Sequence, residues 1–353
     1  MNRMDRWLLL CRPGFEGDTA AEVMHRLGLA GGHGHARTRD GSGLLEVFPG
    51  EGDALAWLEA DTLRDAVFPR QYCASGALVE GLPTEDRLRP LLADWQRPVA
   101  DALVETAEGA GHRELGRLVQ RLQGPLKGVL QERGLWRPDD AFAPRLHVVL
   151  DSGSSAWVGV APRRLSSPLP GGIPRLRRLG GAPSRSALKL DEALRYLVGE
   201  SERYLQMRSG MTAADLGAAP GGWTWVLRQW GVGVFAVDNG ALAPGLKLDP
   251  DVVHVRADAF TWEPPQALDW LVCDLVDKPA RVVELMARWL RRGWAKRALF
   301  NLKLPMRRRW HAVQDAEVRF FRTLGPESER FRLRVRHLYH DREEVTAYAE
   351  PLA

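Results

Sequence analysis

The chain has 353 residues, of which 45% are hydrophobic and 27% charged, and a formal net charge of +4. This is the composition of an ordinary folded protein rather than a disordered tail, and the length exceeds one usual hydrophobic core, so two or more domains are expected. Cys11, Cys73 and Cys273 are odd in number and lack CxxC spacing, which argues against a disulfide framework or zinc ribbon and for a reducing compartment. The short apolar run from Trp7 to Cys11 is too brief for a signal peptide, and no stretch nears about 18 uninterrupted apolar residues, so a cytoplasmic protein without a membrane span is expected.

The first half alternates strand and helix signals. Residues 6–12 and 43–48 read as strands, 17–27 and 53–63 as helices and 70–78 as extended, an order that suggests a small split βαβ unit. From 85 to 134 helical patterns dominate, with Leu115, Leu118, Leu122 and Leu126 forming an apolar stripe that predicts core. Residues 145–150 and 155–160 read as paired strands around the turn Asp151-Ser152-Gly153-Ser154. Residues 168–181 are rich in Pro, Gly and Arg, including Arg175, Arg177 and Arg178, and predict a linker between a module at 1–167 and a domain at 182–353.

Beyond the linker the pattern becomes a regular α/β alternation. Strands are expected at 212–216, 233–237, 254–256, 270–273 and 298–302, helices at 188–198, 223–230, 280–291 and 307–321, and two last strands at 332–338 and 344–349. The pattern predicts a mainly parallel sheet with an antiparallel C-terminal hairpin. In such sheets ligands bind beyond the carboxyl ends of the strands, where Asp215, Asp238, Asp258, Asp274 and Lys303 all fall.

The lysines narrow the chemistry. Only Lys127, Lys189, Lys247, Lys278, Lys296 and Lys303 occur among 49 basic residues, and an ammonium can lose a proton whereas a guanidinium cannot. The arginine-rich balance favours a phosphate-bearing partner, with Arg307, Arg308 and Arg309 just past a strand end as candidate contacts to its phosphates. The loop Gly217-Ala218-Ala219-Pro220-Gly221-Gly222 lets backbone approach a ligand but is not the GxGxxG of dinucleotide binders. Asp238 suits ribose hydroxyls and Asp258 an adenine amino group, so an adenosine-bearing ligand without a pyrophosphate fits. His33 and His35 lack further partners, and no metal site is expected.

With Asp215-Leu216-Gly217-Ala218-Ala219-Pro220-Gly221-Gly222-Trp223, the chain resembles the FtsJ-like RNA ribose 2′-O-methyltransferases, whose Lys-Asp-Lys-Glu tetrad matches Lys189, Asp274, Lys303 and Glu344. The segments at 182–190, 273–279, 300–306 and 338–345, with Cys11-Arg12-Pro13-Gly14-Phe15-Glu16, are similar to the bacterial ribosomal RNA large subunit methyltransferase M family. The resemblance implies a Rossmann-like methyltransferase domain preceded by an α+β ferredoxin-like and THUMP-type RNA-binding module. It implies S-adenosylmethionine as cofactor, held by Ser186, Ala219, Pro220, Gly221, Gly222, Asp238, Asp258 and Asp274. The implied substrate is a cytidine in the peptidyltransferase region of 23S rRNA; other RNA substrates and a non-catalytic assembly role are the alternatives. Lys303 is read as proton acceptor, or as the group that steers the hydroxyl, with Asp274 orienting it and Lys189 and Glu344 holding the acceptor ribose. Adjacent strand residues face opposite sides, so only one of Glu343 and Glu344 can reach the site, and Glu344 is favoured. With no oligomerisation seam, a monomer is expected.

Overall fold

The computed structural model describes residues 4–352 apart from 51, 110 and 178, so Arg178 of the expected linker lies outside the described residues. The chain divides into two compact units, Met1–Pro174 and Arg175–Ala353.

The first unit runs β1 (Arg6–Leu10), α1 (Glu16–Leu29), β2 (Gly34–Thr38), β3 (Leu44–Pro49), α2 (Ala54–Glu59) and β4 (Gln71–Ser75), then α3 (Leu88–Leu91), β5 (Asp101–Thr106), α4 (Gly116–Glu132), β6 (Arg145–Leu150) and β7 (Ala156–Ala161). One sheet joins them in the order β2-β3-β1-β4-β7-β6-β5. The first four strands are all antiparallel and carry two helices, a ferredoxin-like βαββαβ arrangement. Glu16 starts α1 with its carboxylate accepting the Gly14 N–H at 3.0 Å and the Gly43 N–H at 2.6 Å, a negative charge at the positive helix end. Trp7, Leu9, Val23 and Leu27 are buried between sheet and helix, and each large side chain so enclosed is worth roughly 3 kcal/mol against truncation.

Two strands were not expected here. β2 runs through the glycine-rich segment that contains His35, which pairs with Phe48 across the strands and stacks on its ring at 4.8 Å. β5 lies within the span read as helical: its sequence Asp-Ala-Leu-Val-Glu-Thr suits either state, and parallel pairing with β6 decides it. The expected linker is also partly folded. Gly171 donates its N–H to buried Glu105 at 2.7 Å within the first unit, while Leu179 and Ala182 pack against the core of the second. Of the leucine stripe on α4, Leu126 is fully buried and Leu118 and Leu122 only half so.

The second unit begins with α5 (Ala187–Ala193), prolonged by a wider turn over Leu194–Val198, and α6 (Arg203–Gln206). It continues through β8 (Thr212–Leu216), α7 (Gly222–Gln229), β9 (Gly233–Val237), α8 (Pro244–Lys247), β10 (Val252–Val255), β11 (Leu268–Cys273), α9 (Pro279–Arg291), β12 (Ala295–Lys303), α10 (Arg309–Leu324), β13 (Phe331–Arg336) and β14 (Glu344–Pro351). The sheet order is β10-β9-β8-β11-β12-β14-β13. The first five are parallel, and β14 enters antiparallel between β12 and β13. The final hairpin therefore closes one side of the sheet, with β14 beside β12 and β13 as the edge strand. Chain order reverses direction between β8 and β11, which opens a crevice beyond their carboxyl ends. Trp270 and Trp289 are fully buried, and the apolar face of α9 packs against β12 and α10.

Candidate active site

Four ionisable side chains from four elements meet at the carboxyl end of this sheet. Asp274 follows the last residue of β11, Lys303 ends β12, Glu344 begins β14 and Lys189 lies in the first turn of α5. Lys303 and Glu344 are register partners on neighbouring strands, and this places their side chains side by side. Glu344 bridges both amines, one carboxylate oxygen to Lys189 Nζ and the other to Lys303 Nζ. Asp274 lies 3.4 Å from Lys189 Nζ and 3.7 Å from Lys303 Nζ. Two cations and two anions thus alternate in one cluster.

Burial by itself would lower the basicity of Lys189, but the charges of Asp274 and Glu344 outweigh it, and its pKa lies above the ordinary lysine value. Lys189 is an ammonium at neutral pH. Burial pushes the Glu344 carboxyl up, yet its hydrogen bonds to Lys189 and Lys303 bring it below the ordinary value, so it is ionised. Glu343 points the other way and pairs with Arg309 at 2.8 Å, so of the doublet only Glu344 joins the cluster. Arg309 is consequently buried and engaged, and is not the exposed phosphate contact expected of it; Arg307 and Arg308 are exposed.

Beside the cluster lies the loop from β8 to α7. Gly221 has φ of 112°, where a side chain would be strained. A Cβ on Gly222 would fall 2.3 Å from the hydroxyls of Ser184 and Ser186. Asp238, at the end of β9, accepts the Ala219 N–H at 2.9 Å and the Gly240 N–H at 2.7 Å, and so holds the loop against the next strand. Ser186 precedes α5, and its carbonyl accepts the indole N–H of buried Trp223 at 3.1 Å. Asp258 is exposed and accepts the Phe260 N–H of its own turn at 2.9 Å. Beneath the loop Asp215 is fully buried; one carboxyl oxygen accepts the Thr224 hydroxyl at 2.6 Å and the other has no protein partner. Burial pushes its pKa up to about 7, against the Thr224 bond that lowers it.

The sequence reading did not single out Asn301, Thr346, Asp341 or Glu192. Asn301 Nδ2 donates to Asp274 Oδ1 at 2.9 Å, and the Thr346 hydroxyl lies 2.8 Å from Asn301 Oδ1. Buried Glu192, three residues past Lys189, accepts the N–H groups of Tyr339 and His340 at 2.8 and 2.9 Å and holds the turn before β14. The period of two was the available signal, since Asn301 and Thr346 share strand faces with Lys303 and Glu344. Among the described residues, no group of three or more His, Cys, Asp or Glu side chains is arranged to hold a metal ion, and no helix is long and apolar enough to cross a membrane.

The sequence profile of the FtsJ-like methyltransferases matches residues 182–286, and that of the RlmM ferredoxin-like domain matches residues 4–73. Ribosomal RNA large subunit methyltransferase M of Alkalilimnicola ehrlichii is 45% identical, with 98% of this chain aligned to 94% of that one. The chain belongs to the ribosomal RNA large subunit methyltransferase M family. Its members of the same name from Xanthomonas axonopodis pv. citri, 43% identical with 98% of this chain aligned to 99% of that one, and from Aromatoleum aromaticum, 41% identical with 97% aligned to 94%, span both units as well. In this family member the Lys-Asp-Lys-Glu cluster and the glycine loop lie at the switch point of the methyltransferase unit, and the ferredoxin-like match coincides with β1 to β4.

Proposed function

We propose that this chain is an S-adenosylmethionine-dependent methyltransferase that modifies a ribose 2′-hydroxyl of a cytidine in the peptidyltransferase region of 23S rRNA, acting as a cytoplasmic monomer. The observation that carries the reading is the meeting of Lys189, Asp274, Lys303 and Glu344 in one cluster at the crevice of the sheet. Family membership supports RNA of the large ribosomal subunit as the substrate class.

The residues present fit the cofactor. Ala219, Pro220, Gly221 and Gly222 form a wall in which side chains are small or absent, Ser186 lines it, Asp238 offers remaining lone pairs to a ribose diol, and Asp274 adjoins it. Asp215 holds the underside of this loop by accepting the Thr224 hydroxyl at 2.6 Å. Asp258 is the assigned acceptor for the adenine amino group. When bound, S-adenosylmethionine supplies an electrophilic methyl group.

The chain must then orient the acceptor and take its proton. Lys303 is the more exposed amine, at 30% against 16% for Lys189, and is assigned to the hydroxyl and its proton. Asp274 orients Lys303. Lys189 stays charged and, with Glu344, grips the acceptor ribose. Arg307 and Arg308 are assigned to the RNA backbone beyond the end of β12, and exposed Val276 and Met306 on the two neighbouring loops offer apolar surface to a splayed base. The second half of the first unit, from α3 to β7, is assigned as the THUMP-type part of the RNA-binding module.

The test is mass mapping of ribose methylation in rRNA from cells lacking the protein, complemented with wild type or Lys303→Arg. One ribose methyl group disappears on deletion, returns with wild type and does not return with the variant. An unchanged methylation map, or full restoration by Lys303→Arg, overturns the assignment.

A further inference from the structure

Behind the tetrad a line of polar side chains runs inward through groups that are completely enclosed. Asn301, Thr346 and Asp341 each have no exposed surface. Asn301 Nδ2 donates to Asp274 Oδ1 at 2.9 Å, the Thr346 Oγ1 lies 2.8 Å from Asn301 Oδ1, and the same hydroxyl oxygen lies 3.2 and 3.0 Å from the two carboxyl oxygens of Asp341. Asp341 Oδ2 also accepts the Leu338 N–H at 3.0 Å.

Counting protons along this line fixes its direction. Thr346 has one hydroxyl hydrogen and two acceptors in reach, the Asn301 amide oxygen and the Asp341 carboxyl. If Asp341 were ionised it would claim that hydrogen, and Asn301 would have to turn its NH2 toward Thr346. Its amide oxygen would then face Asp274 Oδ1 at 2.9 Å, two acceptors with no hydrogen between them. Asp274 accepts from Lys189 Nζ at 3.5 and 3.4 Å on its two oxygens, and as the acceptor in these contacts it offers no hydrogen to Asn301. Asp341 has the opposite surroundings. It is fully enclosed and lies near the carboxylates of Glu344 and Glu192, which Lys189 partly offsets. A hydrogen on Asp341 Oδ1 satisfies every contact in the line: Asp341 donates to Thr346, Thr346 to Asn301 Oδ1, and Asn301 to Asp274 Oδ1.

We propose that Asn301 is the positioning residue that sets Asp274 between the two lysines, and that Thr346 and an Asp341 carrying its proton lock the orientation of the Asn301 amide. The catalytic consequence rests on the methyltransferase reading above, whereas the placement of the proton does not. Fully satisfied, such a buried line holds one geometry; with one member removed it leaves an unpaired polar group next to the site.

The experiment compares Asp341→Ala with Asp341→Asn, and Thr346→Val with Thr346→Ser, in the full chain, after thermal unfolding and S-adenosylmethionine binding have shown that each variant is folded. Asn at 341 accepts from Leu338 and donates to Thr346 as the protonated acid does. Asp341→Ala and Thr346→Val therefore lower kcat by up to about a hundredfold with little change in KM for the methyl donor, and Asp341→Asn and Thr346→Ser restore it. An Asp341→Asn enzyme as slow as Asp341→Ala, or a Thr346→Val enzyme with unchanged kcat, overturns the proposal. An infrared difference spectrum of wild type minus Asp341→Asn at neutral pH reads the proton directly, without any turnover. A carboxylic acid carbonyl band in wild type that the variant lacks is expected; a carboxylate band alone overturns the proposal. A wild-type protein that shows the acid band yet methylates no RNA refutes the functional reading and leaves the proton where it was placed.

Discussion

Replacing Glu344 by Gln, with Glu343→Gln as a neighbouring control, separates two carboxylates that differ by one position and point to opposite environments. Glu344 bridges two amines and is 4% exposed, the amines being 16% and 30% exposed. Removing one partner of a fully buried pair costs about 3–5 kcal/mol, and the access of water to Lys189 and Lys303 reduces this to about 2–3 kcal/mol. In the Glu343–Arg309 pair the carboxylate is 47% and the guanidinium 9% exposed, and with water reaching the carboxylate the loss of this half-exposed pair is worth about 0.5–1 kcal/mol. The sign with pH follows from the direction of the shift. The Glu344 carboxyl in the folded protein lies below its ordinary value of 4.5, so its stabilisation is present above that value and is lost as pH falls through the folded one. Urea unfolding followed by tryptophan fluorescence should therefore show wild type more stable than Glu344→Gln near neutrality, with the gap closing in acid. Glu343→Gln should track wild type throughout. Methylation should fall by about a hundredfold in Glu344→Gln alone. A Glu343→Gln variant less stable or less active than Glu344→Gln, or a gap that persists unchanged in strong acid, would refute this assignment of the doublet.

Two further outcomes are expected. Asp215 has a folded value of about 7 against an ordinary 3.8, so the folded protein keeps that proton longer than the unfolded chain and loses about 4 kcal/mol of stability as pH rises through this window. Unfolding curves of wild type and Asp215→Asn should diverge by that amount between about pH 4 and pH 8, and parallel curves would refute the buried acid. Arg307→Ala combined with Arg308→Ala should weaken RNA binding and flatten its dependence on salt by roughly 0.7 in logarithmic slope per lost phosphate contact. Filter binding at several salt concentrations measures this, and an unaltered slope would remove both arginines from the interface.

How far the primary structure could be read depended on what each feature needed from distant parts of the chain. Every strand of the methyltransferase unit was legible, because buried strands appear as short apolar runs and the polar residues that end them are local signals. Lys189, Asp274, Lys303 and Glu344 were picked out by their match to the tetrad of the family the chain resembles, and in the fold each stands at or next to the start or end of an element. β2 and β5 were not legible, since a glycine-rich segment and the helix-compatible run at 101–106 become strands only through pairing with β3 and β6. Arg309 looked like a surface cation until the strand after the His340 turn brought Glu343 to it.

The residue order by itself determined which side chains were available and on which kind of element each would stand, through periodicity, turn chemistry and the polar ends of apolar strands. The tertiary structure decided which of them touch. Register put Glu344 rather than Glu343 opposite Lys303, and insertion of β14 beside β12 paired Thr346 with Asn301 and so brought Asp341 into line with Asp274. Those contacts join residues 27 to 45 positions apart. Hydrogen bonds and ion pairs act over a few ångströms of space, and only the closed sheet supplies that proximity.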